Sequence, residues 1–107
     1  MFEEKNVVFE KGKIVAFRLI TGDEIIGKVK SFDREFVIIF QPCTLMVQPE
    51  GIGLVPATML GNHEIPISYT RTSIVAHMTP NKKFLDIYEQ YISKIQLIGK
   101  EKIIISK

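Results

Sequence analysis

Apolar and polar positions alternate through residues 14–20. Val15, Phe17 and Leu19 share one side, and Ala16, Arg18 and Ile20 the other, which is the two-residue period of a strand. Thr21-Gly22-Asp23-Glu24 supplies turn chemistry, with Gly22 able to take positive φ. A second strand is predicted over 25–32, with Gly27 inside it as the mark of a bend, a bulge or a close backbone approach. The polar triplet Asp33-Arg34-Glu35 turns the chain into a third strand at 36–40, apolar on both faces and therefore central. Pro42 is expected to bend that strand or leave it at an edge, and 44–48 resumes it. A fourth strand is predicted over 52–60, broken by Pro56, and a long final one over 65–78 after the Gly61-Asn62-His63 turn.

The period changes once. Phe84, Tyr88, Tyr91 and Ile95 recur at spacings of four, three and four, with Leu85 and Ile92 widening the stripe. That pattern predicts an amphipathic helix over about 80–97, capped by Thr79 with Pro80 as its first residue and stopped at Gly99. The tail, 98–107, carries the β-prone run Ile103-Ile104-Ile105, which calls for pairing with an edge strand. The expected architecture is one domain over 1–107. It is mainly β: a strongly bent five-stranded antiparallel sheet, an SH3-like open barrel over about 13–78, with a C-terminal α-helix.

Composition narrows the function classes. Basic and acidic residues nearly balance at +2, so no strong polyanion signal exists for the whole chain. The excess lies late: residues 82–107 hold six Lys against three acids. One cysteine, Cys43, allows no disulfide framework, reads as a small buried hydrophobe, and fits a reducing, cytoplasmic setting. The start, Met1-Phe2-Glu3-Glu4-Lys5, lacks the apolar run of a signal peptide, and no apolar run is long enough for a membrane. His63 and His77 lie on different elements without a nearby Cys, so no metal site is expected. Asp23 and Glu24 point to opposite faces of a strand end and do not converge as an acid–base pair. With no phosphate loop, dinucleotide fingerprint or nucleophile elbow, the reading is of a protein that is not an enzyme, with no catalytic residues, cofactor or small-molecule substrate. Tyr88 and Tyr91 fall on the helix stripe and read as packing residues.

Gly22, Gly27, the pair Phe32-Asp33, and Phe36 carry a resemblance. Their spacing resembles the first signature of the Sm/LSm family, and the whole chain looks most like the small Sm-like proteins of marine bacteriophages (cyanophages). The resemblance implies an Sm-like barrel that assembles into a homo-oligomeric ring of about five to seven subunits. It implies a pore-side RNA site built from Phe32, Asp33, Arg34 and Asn62, and a subunit interface along the last strand through Ile65, Ile67, Tyr69 and Ile74. The setting would be the cytoplasm of a cell or of a phage-infected bacterium. Two positions depart from the RNA-binding members: Val37 stands where they carry Asn, and Leu60 stands where Arg precedes Gly-Asn. The expectation is therefore a ring that binds RNA in a non-canonical way, or a phage assembly scaffold that binds none. Each residue also has a purely structural reading: Asp33 as a turn brace, Arg34 as a solvated charge, and Asn62 as a left-handed turn residue.

Overall fold

A computed structural model describes residues 9–58, 60–62 and 64–98, the last five by backbone alone. The predicted Gly99 stop, His63 and the Ile103–Ile105 tail lie outside the described residues. Six strands and one helix follow in order: β1 Ile14–Leu19, β2 Glu24–Phe32, β3 Phe36–Gln48, β4 Gly51–Pro56, β5 Ile67–Thr70, β6 Ile74–Met78 and α1 Lys82–Ile98. The fold is mainly β. All strand pairs are antiparallel, and the order runs β4-β3-β2-β1-β6, with β5 also paired to β3. Among the described strands the sheet does not close, since nothing pairs with the outer edges of β6, β4 and β5.

The expectation of five strands is corrected at one place. The run 65–78 is not continuous, because a 3₁₀ turn at Arg71–Ser73 divides it into β5 and β6. Polar contacts pull the chain out of line there: the Arg71 N–H donates to the Glu35 carbonyl at 2.8 Å and the Ser73 hydroxyl to the Thr70 carbonyl at 2.7 Å. At Pro42 β3 bends and resumes, one of the two outcomes expected of the proline. Gln41 takes a left-handed φ of 50°, and the strand passes through an irregularity and continues. Before the kink β3 lies between β2 and β5; after it, Cys43 to Gln48 form a hairpin with β4. The fourth strand stops at Pro56, short of the predicted 60, where the Ala57 N–H turns back to the Pro42 carbonyl at 2.9 Å.

Alternation fills two cores, one on each side of the sheet. Val15, Phe17, Ile25, Val29, Val37 and Ile39 point to one side and pack with Phe9. Ile26 and Cys43 point to the other, where Tyr88 and Ile92 of α1 cover them. The helix begins two residues later than predicted. Asn81 caps it, accepting the Lys83 N–H on Oδ1 at 2.8 Å and the Leu85 N–H on its carbonyl at 2.8 Å. Asn outranks Thr as a cap, so the chain uses Asn81 and leaves Thr79 and Pro80 outside. Burial pushes the Cys43 thiol up to about 12, as suits the small buried hydrophobe expected from sequence. No helix among the described residues is long and apolar enough to cross a membrane.

Candidate functional site

The β2–β3 turn is built around one carboxylate. Asp33 Oδ1 accepts the N–H groups of Glu35 and Phe36, each at 2.8 Å, while the Asp33 N–H donates to the Phe36 carbonyl at 2.9 Å. This is the brace expected of Asp in a turn. The bond from Phe36, that from Glu35, and the Arg71 charge hold the Asp33 carboxyl below its ordinary range. Its folded value lies below its unfolded value, so the contribution to folding is complete above pH 3.8 and fades as pH falls through the folded value. Acid titration followed by amide resonances is expected to move the Glu35 and Phe36 signals with a midpoint below 3.8. A midpoint at or above that value would mean that the carboxylate does not hold these amides in solution.

The turn between β5 and β6 docks on this one. Arg71 Nη1 donates to the Asp33 carbonyl at 2.6 Å, and the Arg71 backbone is tied to Glu35. The guanidinium carbon lies 5.0 Å from the centroid of the Phe9 ring, a cation–π stack. Phe9 also meets His77 edge-on at 5.3 Å and Phe32 at 6.1 Å. Desolvation, and then the Arg71 charge, push the His77 imidazolium toward its neutral form. The result is a knot of one arginine, one carboxylate and three aromatic rings, drawn from chain positions far apart.

Phe32, Asp33 and Arg34 share this knot by sequence adjacency, but Phe32 does not fill a barrel interior: it is 40% exposed and leans on Phe9. Its strand ends there, so the side chain lies at the sheet margin. Asn62 stands apart. Its Oδ1 accepts the Glu64 N–H at 2.9 Å and its carbonyl the Ile65 N–H at 3.1 Å, in a turn that precedes β5. Arg71 follows the other end of β5, so the strand separates Asn62 from the knot by roughly 10 Å or more at about 3.3 Å per residue. Arg71 and Phe9 are the residues that sequence reading missed. The only local sign was the polar stretch Thr70-Arg71-Thr72-Ser73, which interrupts an apolar alternation as turn residues do.

The four interface candidates are placed unevenly. Ile65 is 59% exposed ahead of β5, and Ile67 is half-buried opposite Ile39. Tyr69 and Ile74 pack against their own core, Tyr69 edge-on to Phe17 at 5.5 Å. The Tyr69 hydroxyl is buried without a hydrogen-bond partner, and burial pushes it up to about 12. No cluster of His, Cys, Asp and Glu among the described residues could hold a metal ion. Compared with known proteins, the chain matches no protein-family model and no curated relative.

Proposed function

We propose that this chain is a non-enzymatic Sm-like subunit that associates edge to edge into a closed ring in the cytoplasm. The observation that carries the reading is that, among the described strands, the sheet is unclosed, with β6 open on one side and β4 and β5 open on the other. Two complementary open edges on opposite flanks form a heterologous, head-to-tail contact, which closes into a ring when the rotation permits. Exposed apolar side chains lie on the flanking strands: Val75 on β6 is 57% exposed and Ile52 on β4 is 52% exposed.

Light scattering on the purified chain tests this. The expected mass is several times the 12.2 kDa of one chain. Val75→Lys and Ile52→Lys place charges on the open strands without touching either core, and each is expected to return the protein to monomer with its fold intact. Ile67→Asp and Ile74→Asp serve less well, because both side chains are partly buried within their own subunit. A monomeric parent, or variants with the parent mass, would remove the ring.

Within the ring, Phe32, Asp33, Arg34 and Arg71 are the residues at which RNA would be met. One observation favours the second reading, a scaffold without nucleic acid at this turn. Val37, at the position where the RNA-binding members carry Asn, is fully buried in the core and has no surface to offer a base.

A further inference from the structure

Helix α1 covers only part of the sheet face on which it lies. Ile26 and Cys43 are beneath it, and Tyr88 marks its border, with its hydroxyl 2.8 Å from the Phe40 carbonyl and 3.0 Å from that of Gln41. Along β3 the same face continues through Phe40, Ile38 and Phe36, because Ile39 and Val37 between them are fully buried on the opposite side. Phe36 is 38% exposed, and Ile38 and Phe40 are half-buried. Lys28 stands across from Phe40 on β2, and Lys30 falls in the register shift between Val29 and Ser31, where an irregularity re-aims a side chain. Both lysines are exposed, make no ion pair among the described residues, and with Val29 and Phe40 line a groove of about 310 Å³. On the other flank β5 sets exposed Ser68 opposite Ile38 and exposed Thr70 opposite Phe36. Of the acids along β2 and its turn, Glu24 is tied to Arg18 at 2.6 Å and Asp33 to its own turn, while Glu35 borders the face at Phe36.

We propose that this half-face, uncovered among the described residues, binds single-stranded nucleic acid, with Phe36 and Phe40 stacking bases and Lys28 and Lys30 meeting phosphates. Four residues of strand set the two rings roughly 13 Å apart, a span suited to two or three bases on a sheet. Lysines beside one exposed and one half-buried aromatic ring are the stacking-and-charge combination that holds single strands without reading sequence. They argue against a protein partner, since the centre of a protein interface is depleted in Lys. The surface meets the Asp33 turn only through the Phe36 backbone and does not depend on ring formation.

Fluorescence anisotropy with the full chain tests it, using oligo(U) and oligo(dT) of about ten nucleotides. Both are expected to bind, since base stacking does not read the sugar. Two phosphate contacts predict a loss of about sevenfold in affinity between about 50 and about 200 mM salt. Lys28→Glu with Lys30→Glu is expected to weaken binding at least about tenfold, and Phe36→Ala by about tenfold. The melting temperature should stay near that of the parent for the lysine pair, whose side chains are exposed, and Phe36→Ala should keep the parent's circular dichroism spectrum at the assay temperature. Three results would overturn the proposal: no binding of either probe at low salt, binding indifferent to the lysine change, or a smaller particle mass for Phe36→Ala than for the parent. The last would assign the face to contact between copies of this chain.

Discussion

Tyr88→Ala is expected to cost about 3–5 kcal/mol, in line with truncation of a fully buried aromatic side chain. Typical domains are stable by only about 5–15 kcal/mol, so this one change should bring the protein close to unfolding. The reason lies in how α1 is attached. Tyr88 is the most completely buried of the helix side chains described, and it packs with Ile26 and Cys43. Its hydroxyl meets the Phe40 and Gln41 carbonyls at the kink of β3, with a single proton shared between them. Removing the ring opens a cavity and leaves two backbone acceptors beneath the helix. Tyr88→Phe separates the two effects: it keeps the packing, loses the hydroxyl, and is expected to cost about 1–3 kcal/mol. Urea unfolding followed by circular dichroism measures both. A loss below about 1 kcal/mol for Tyr88→Ala would mean that the helix is held elsewhere along its stripe.

Much of this arrangement was legible in the chain because it rests on local rules. The alternation from 14 to 20 placed Val15 and Phe17 in the core, and the stripe Phe84, Tyr88, Ile92 identified the buried face of α1. Asp33 braces its turn as Asp does in isolation. What was not legible depends on distant partners. Nothing about Gln41 announces a left-handed φ, since Gln is not among the residues that visit that region readily. The kink exists because β3 must leave β2 and carry on with β4, and a strand register decides that. Pro42 announced a bend, but not the left-handed residue before it. The knot around Asp33 likewise joins residues 38 apart in the chain, through a bond from Arg71 to a backbone carbonyl that leaves no trace in composition. The helix start was misplaced because Thr79-Pro80 and Asn81 are both sound openings, and cap strength chose between them.

Gly27→Ala is expected to destabilise by about 1–3 kcal/mol, the usual cost of overpacking a core. For a domain of this size each kcal/mol lowers the melting temperature by about 4–8 °C. The position has an ordinary backbone, so the cause is space and not φ. A Cβ there would collide with Cγ2 of Ile39 and would lie 3.3 Å from the Pro42 Cα. Ile39 is fully buried and cannot swing away, and the Pro42 contact is backbone. Gly27 faces the two residues at which β3 kinks, because Ile26 pairs with Cys43 and Lys28 with Phe40, leaving Gln41 and Pro42 opposite one glycine. The missing side chain is what admits the kink, and the kink is where β3 leaves β5 and carries on with β4. Gly53→Ala is the matched control: that glycine is also in a strand, but an added Cβ meets nothing within 4 Å. It is expected to be neutral or stabilising by about 0.5–1 kcal/mol. Thermal melts of the two variants side by side give the answer. If Gly27→Ala melted with Gly53→Ala, β2 and β3 would not approach each other this closely in solution, and the kink would need another cause.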